Sequence, residues 1–306
     1  YIRGHANDYD HWGQLGNIGW SYDDVLPYFK KSESFQGETS SKYHGFDGPL
    51  SVKRAKRTDD LLLDKFIEAG SQAGHPSTND FNGKQQEGVS RYEHTMKGSK
   101  RCSASKAYLH PALKRKNLIT KLNITVNKVI FDGKKAIGIE YLKKGEKISS
   151  FANKEIILSS GSLSSPMILM RSGIGDPKEL TKFGIKTINK LEGVGKNLQD
   201  HIAISTQFES LKPVTLHRSA SKLRMGLSGL QYLLLKKGDA ANPPCGAGAF
   251  LKSNPDKDIP DFQVFYVSVA LNDSHGRKGV PQDHRFSAAL YTLRPQSRGY
   301  ITLASL

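Results

Sequence analysis

Residues 161–175 read GSLSSPMILMRSGIG, and this stretch decides how the chain is interpreted. Small residues come first, followed by Pro166, an apolar run, and then Ser172 with two spaced glycines. The segment just before it, Glu155–Leu158, has the composition of a short strand buried on both faces. The sequence therefore predicts a strand, a turn of small residues and a helix.

The small residues of this turn leave backbone uncovered. Ser160, Gly161 and Ser162 carry no side chain longer than a hydroxyl, Ser164 suits a helix cap, and Pro166 suits a first helical turn. A helix N-terminus offers free N–H groups and the positive end of a dipole, which favour phosphate. The turn therefore predicts a surface for a flat, phosphate-bearing ligand. Plain strand–turn–helix packing is the alternative, because no G-x-G-x-x-G fingerprint occurs.

Composition bounds the class of protein. The 306 residues include 45 Lys and Arg against 29 Asp and Glu, a net charge of +16. Such a charge is typical of a solvated basic surface, and no zinc finger or aromatic-interleaved basic run predicts nucleic-acid binding. No apolar run is long enough to span a membrane. The two cysteines, Cys102 and Cys245, lack the spacing of a metal site.

The coarse organisation follows from glycine content and periodicity. Residues 1–20 and 75–101 read as loops because they are polar and dotted with glycine. Ser21 and Asp24 form a capping box that begins a helix. Strand-like segments fill the region before residue 160, with Asp132-Gly133 as a hairpin turn, and the character of the chain changes near residue 205.

The stretch that opens this section resembles the second signature of the glucose–methanol–choline (GMC) oxidoreductase family. The positions that fit are Gly161, Ser162, Ser165, Pro166, Leu169, Met170, Ser172, Gly173, Ile174 and Gly175. The opening YIRGHANDYD is similar to the end of the family's first signature at Tyr1, Gly4 and Asp10. Further similar segments are GSKR (98–101), SASKAYL (103–109), VGKNLQDH (194–201) and PQSRGYITL (295–303). The resemblance covers the whole chain and is strongest to animal, especially insect, glucose-dehydrogenase-like members.

The resemblance implies a mixed α/β (α+β) fold. It predicts a partial FAD-binding domain of the GMC type and part of a substrate-binding domain with an antiparallel sheet. The expected segments are 1–36 as an FAD-covering segment, 37–103 as part of the substrate domain with an entrance loop, 104–204 as the central FAD-binding domain, and 205–306 as the N-terminal part of the substrate-binding domain.

The resemblance also implies an activity. Family members bind FAD and oxidise the CH–OH group of an alcohol or sugar by hydride transfer to the flavin, with quinone or oxygen as electron acceptor. Two alternatives stay open, which are a flavin-containing hydroxynitrile lyase of the same family and a catalytically inactive, truncated binding protein. The resemblance favours a secreted protein.

Site residues are carried over from the family motifs. The expected cofactor-binding residues are Tyr1, Arg3, Gly4, Val126 (through its backbone, toward the adenine), Ser160, Gly161 and Ser162. The expected substrate-entrance residues are His94, Arg101 and Ser103. The family's glycine-rich loop is expected before Tyr1 and its catalytic histidine beyond Leu306, so no catalytic residue and no metal ligand is assigned, and His201 is taken as structural. We therefore expect the 306 residues alone neither to hold FAD tightly nor to turn over.

Overall fold

A computed structural model describes residues 1–37, 41–54, 61–219, 222–270 and 284–305. The chain forms two compact units. The first unit combines Tyr1–Arg115 with Ile202–Arg294, and the second combines Lys116–His201 with Pro295–Leu306. The functional division into four segments stays a prediction.

The helices and strands alternate irregularly along the chain. The helices are α1 (Ala6–Gln14), α2 (Tyr22–Ser32), α3 (Leu61–Gln72), α4 (His110–Ala112), α5 (Gly161–Arg171), α6 (Pro177–Thr181) and α7 (Lys222–Leu235). Single helical turns of other pitch occur at Ser105–Leu109, Leu216–Ser219 and Asp239–Ala241. The strands are β1 (Glu33–Phe35), β2 (Leu50–Arg54), β3 (Gly88–Arg91), β4 (Glu93–Lys97), β5 (Lys100–Arg101), β6 (Thr125–Asp132), β7 (Lys135–Lys143), β8 (Glu146–Phe151), β9 (Ile174–Gly175), β10 (Asn189–Lys190), β11 (Ala203–Glu209), β12 (Cys245–Leu251), β13 (Phe262–Val267) and β14 (Arg285–Thr292).

The first unit is built on two sheets. An antiparallel sheet has the strand order β11-β14-β13-β12-β3, and a mixed sheet has the order β1-β2-β4-β5 with β1 and β2 parallel. Helix α3 packs on β12 and β3, and Leu63 with Ala247 and Tyr266 forms one apolar cluster there. Burial of these side chains supplies much of the driving force for this packing.

The second unit contains an antiparallel three-stranded sheet of order β6-β7-β8. Its first hairpin turns at Gly133, whose φ of +55° is readily adopted by glycine, so the predicted turn is confirmed. Helix α5 packs against β6, and Met170, Leu180 and Leu303 form a separate apolar cluster. The expected mixed α/β class with antiparallel sheets is confirmed.

Two segments expected to be loops contain regular structure. Residues 1–20 contain α1, which begins with a capping box: the His5 backbone N–H donates to Asp8 Oδ2 at 2.9 Å. Histidine is not among the preferred caps, so composition alone gave no helix start. Residues 75–101 contain β3, β4 and β5, and the partners of β3 and β4, which are β12 and β2, lie far away in the sequence. Long-range pairing therefore overrides the loop-like composition.

The prediction of a buried strand at Glu155–Leu158 is wrong. The structure assigns no strand there, and the Ile157 side chain is 76% exposed. A strand requires a neighbour that accepts and donates its backbone hydrogen bonds, and none of the described residues pairs with this segment. Apolar composition alone therefore did not determine its conformation.

The following helix starts earlier than expected. Its cap position is Ser160 rather than Ser164, and Pro166 lies inside α5 rather than in its first turn. Gly161, at φ +84°, turns the chain into the helix before the predicted cap is reached. The expected end is confirmed, because Gly173 follows the last helical residues at φ +83°.

Candidate functional site

The ledge, defined as Ser160, Gly161 and Ser162, lies exposed at the start of α5. The Ser160 side chain makes no capping hydrogen bond to the helix N–H groups. Among the described residues, apart from the chain neighbours of Gly161 and the backbone of its own helix, no atom lies within 4 Å of the place that a Cβ on Gly161 would take. Short side chains, uncapped N–H groups and the positive end of the helix dipole fit a flat ligand that carries phosphate.

The other end of the same helix is built for packing. The Ser172 hydroxyl donates to the Ile168 carbonyl at 2.6 Å and accepts from the Val129 N–H at 2.8 Å, which ties α5 to β6. A Cβ on Gly173 would lie 2.5 Å from the Lys186 carbonyl oxygen, so only glycine fits. The signature motif therefore has an exposed front half, whose ligand-binding role stays a prediction, and a structural back half.

Val126 lies on β6, which is the edge of its sheet among the described residues. It pairs with Tyr141, and the register shifts between Val126 and Lys128, so Asn127 is left without a partner in the ladder. An edge strand with a bulge leaves backbone groups that a planar base can bind. The position suits the backbone role expected of Val126, which stays a prediction.

Side-chain amides hold the Tyr1–Gly4 segment in the first unit. Asn82 accepts from the Arg3 N–H at 2.7 Å and donates to the Tyr1 carbonyl at 3.1 Å. Gln86 donates to the Arg3 carbonyl at 3.3 Å. Gly4 is close to the Tyr9 ring, because a Cβ there would lie 2.9 Å from the Tyr9 hydroxyl oxygen. The backbone path of this segment is therefore fixed by contacts that replace strand pairing.

The Glu33 cluster, defined as Arg3, Glu33, His44 and Asp80, lies beneath this segment. Glu33 Oε2 is 2.6 Å from an Arg3 guanidinium nitrogen and 2.8 Å from His44 Nδ1, and His44 Nε2 is 2.9 Å from Asp80 Oδ2. The Glu33 side chain is fully buried. The expected cofactor residue Arg3 thus has its guanidinium committed to a buried carboxylate, which leaves its cofactor role a prediction.

Charge balance within the Glu33 cluster sets the protonation of His44. Burial alone would lower its pKa, but hydrogen bonds and attraction from Asp80 and Glu33 prevail and raise the pKa of His44 to about 9. The same contacts lower the pKa of Asp80 despite its burial. A protonated His44 therefore joins two carboxylates and neutralises the cluster together with Arg3.

The entrance cavity, with a volume of about 410 Å³, brings together three of the predicted residues of the first unit. Tyr1, His94 and Arg101 line it, whereas Ser103 does not. The Ser103 hydroxyl instead accepts from the Lys106 N–H at 3.3 Å, at the start of a helical turn. The structure thus places His94 and Arg101, but not Ser103, in one concave surface.

The His94 ring borders this cavity and has an unpaired nitrogen. Its Nε2 is buried and has no hydrogen-bond partner within the described residues. Burial lowers the pKa of His94 to about 4, so the ring is neutral near pH 7. A neutral imidazole can bind a hydroxyl group but brings no positive charge to repel a cationic molecule.

No sequence motif pointed to Glu33, His44, Asp80 or Asn82. They come from separate segments and meet only after the chain folds, so no local spacing in the sequence predicts them. His201, which the sequence predicts to be structural, is exposed, and its backbone N–H donates to Asp200 Oδ1 at 2.8 Å.

Within the described ranges, no group of three or more His, Cys, Asp or Glu side chains is placed to hold a metal ion. Both cysteine thiols are free. In the same part of the chain, no helix is both long enough and apolar enough to cross a bilayer.

Comparison with known proteins places these features in a family. Residues 1–203 match the family model described as GMC oxidoreductase, and the chain belongs to that family. It is 42% identical over all 306 residues to human "Choline dehydrogenase, mitochondrial" and 41% identical to "Oxygen-dependent choline dehydrogenase" of Brucella ovis. These alignments cover 51% and 55% of the relatives, so the chain spans about half their length.

Solved structures of the same architecture include pyridoxine 4-oxidase from Mesorbium loti, with a TM-score of 0.83 and 25% identity. That match covers all of this chain and 56% of the other. The named curated relatives are choline dehydrogenases rather than the glucose-dehydrogenase-like proteins favoured by the sequence motifs. The family assignment is therefore confirmed, and the expected subgroup is not supported.

Proposed function

We propose that this chain forms part of an FAD-dependent oxidoreductase that oxidises the CH–OH group of choline or a similar amino alcohol. The observation that carries the proposal is the ledge, an open and uncapped helix start within a chain that matches choline dehydrogenases over its whole length. When bound, FAD supplies the hydride acceptor.

The contribution of this chain is to bind and orient. The ledge offers N–H groups to a phosphate and leaves the backbone open, and the edge of β6 at Val126 offers backbone groups to a base. In the other unit, the neutral His94 ring in the entrance cavity offers a hydrogen bond without a charge. Arg101 lines the same cavity and is cationic, so the preference for choline rests on the match to choline dehydrogenases rather than on the charge of this cavity.

The test is anaerobic mixing of the complete gene product, loaded with FAD, with choline, while the flavin absorbance is recorded. Bleaching by choline at a KM at least about tenfold below that for glucose is expected, since tenfold corresponds to ~1.4 kcal/mol of preferential binding. Faster bleaching by glucose than by choline would instead support a sugar as the substrate. No bleaching by any alcohol, together with cleavage of a cyanohydrin, would establish the lyase alternative.

Two further properties belong to the same proposal. Quinone or oxygen accepts the electrons, and parallel assays of quinone-analogue reduction and oxygen consumption distinguish them. The protein is exported, as the resemblance to animal members favours, and cell fractionation tests this. Recovery in mitochondria, the compartment in the human relative's name, would overturn export.

A separate proposal concerns the 306 residues by themselves. We propose that they neither hold FAD tightly nor catalyse turnover. Purification of this chain as a yellow protein with about one equivalent of flavin would refute it. The readout is the ratio of flavin to protein absorbance.

A further inference from the structure

A second cavity lies in the unit that contains β6, β7 and α5. Its volume is about 810 Å³, and it opens between the β6–β7 pair, the C-terminal end of α5 and residues 183–188. Neither Val126 nor any residue of the ledge lines it. The proposed function therefore makes no use of this cavity.

Positive charge dominates the cavity wall. Four cationic side chains line it, those of Lys128, Lys147, Arg171 and Lys186. The lining includes one carboxylate, Glu140, whose Oε1 already accepts a hydrogen bond from Asn127 Nδ2 at 2.6 Å. Among the described residues no ion pair engages the four cations. Four cations stand against one carboxylate, which lies directly across the strands from Lys128, and the net positive charge of this concave surface favours an anion.

Arg171 supplies a second, independent observation. Its Nε is buried and has no hydrogen-bond partner within the described residues. Buried donors are almost always paired in folded proteins, so an unpaired one points to a missing acceptor. Ser172, which follows Arg171, is anchored to Val129 and Ile168, and this holds the base of the arginine side chain in place.

Another part of the cavity wall is apolar. Phe131, Phe183 and Ile188 line the same cavity. A ligand that matches both the cationic and the apolar part of the wall has a head with more than one negative charge and an apolar or aromatic body. A guanidinium with nearby ammonium groups matches the charge and geometry of phosphate.

We propose that this cavity is a binding site for a phosphate monoester with an aromatic or apolar body. The head pairs with Arg171 and the surrounding lysines, and the body packs on Phe131 and Phe183. This site is independent of the ledge and of the oxidation of an alcohol.

Titration calorimetry on the whole chain tests the proposal with phenyl phosphate as the probe. Inorganic phosphate and phenol serve as comparison probes that carry the head or the body alone. We expect phenyl phosphate to bind more tightly than either, and its affinity to fall as salt rises. Equal binding of phosphate and phenyl phosphate would overturn the apolar part of the proposal.

Variants separate this site from general surface charge. Arg171→Gln is expected to weaken phenyl phosphate binding at least about tenfold, as loss of a charged hydrogen bond predicts. Lys147→Gln, on the exposed strand β8, provides a second variant that is not expected to disturb folding. Lys178→Gln removes the same charge from an exposed position outside the cavity and is the matched control. Equal affinity in all three variants, or no binding to the parent chain, would refute the site.

Discussion

The Nδ1 atom of His44 lies 2.8 Å from Oε2 of Glu33, and the two side chains are 1% and 0% exposed. Asp80 on the other side of the ring and Arg3 beside Glu33 complete two cations and two carboxylates. Buried charges are tolerated only when they are paired in this way. The Glu33–His44 pair therefore stabilises the part of the fold that lies beneath the Tyr1–Gly4 segment.

Removing the Glu33 charge leaves the buried Arg3 guanidinium without its carboxylate partner and leaves His44 with Asp80 alone. We expect Glu33→Gln to lower the free energy of unfolding by ~3–5 kcal/mol, the cost typical of breaking a buried ion pair. Urea unfolding followed by circular dichroism measures this. Glu68→Gln, which removes an exposed ion pair with Lys65, is the control and is expected to cost at most ~1 kcal/mol. Equal losses in the two variants would contradict the role given to Glu33.

Stability above neutral pH should depend on His44. Its folded pKa is raised to about 9, so the stabilisation that it provides is complete below its unfolded value of 6.5 and is lost as pH rises through 9. The total is about 3 kcal/mol, since each pKa unit is worth ~1.4 kcal/mol. Urea midpoints measured from pH 6 to pH 9.5 should fall for the parent, and the His44→Gln variant should show a shallower slope. Parallel slopes would show that another group titrates.

Stability below neutral pH should depend on His94 in the opposite sense. Its folded pKa is lowered to about 4, so its contribution is present above 6.5 and is lost as pH falls through 4. His94→Gln removes this titration, and its unfolding free energy should decline less than that of the parent between pH 6.5 and pH 4.5. A variant as acid-sensitive as the parent would contradict this prediction.

A bulky side chain on the ledge should block the flavin without unfolding the chain. Ser162→Leu places four carbons at an exposed position, so its melting temperature should match that of the parent without cofactor. Bound flavin in the complete gene product should fall at least about tenfold, equivalent to ~1.4 kcal/mol or more. Ser149→Leu makes the same change at an exposed position on β8 and should retain flavin. Full flavin occupancy in the Ser162→Leu variant would show that the ledge is not part of the cofactor site.

Ser172 should matter for stability rather than for ligands. Ser172→Ala leaves the buried Val129 N–H without an acceptor, which costs ~1–3 kcal/mol. Thr181→Ala removes a comparable but exposed hydroxyl bond to Pro177 and should cost less than ~0.5 kcal/mol. Thermal unfolding of both variants makes the comparison. A larger effect at Thr181 would contradict the structural role of Ser172.

Elements with local signals were predictable from the sequence. The capping box of Ser21 and Asp24 begins α2 as expected, and Asp176 followed by Pro177 begins α6. In both cases the residues that fix the helix start are within three positions of one another. The turn at Gly133 belongs to the same class.

Elements defined by distant partners were not predictable. β3 and β4 formed where glycine-dotted sequence indicated a loop, because β12 and β2 supply their hydrogen bonds. The Glu155–Leu158 segment failed in the reverse direction, since apolar residues do not make a strand without a neighbour. The Glu33 cluster unites side chains from four separate segments, and only the folded chain brings them together.

The anchoring of Ser172 to Val129 has a consequence for how such motifs are used. The back half of the motif holds a helix against a sheet through contacts that involve no ligand, so packing alone is enough to require it. A search for that half alone therefore selects chains by how this helix packs, whether or not they bind a cofactor. We expect the three small residues at the front to separate the two groups, because a bulky side chain is excluded there only where a flat ligand has to lie against the backbone.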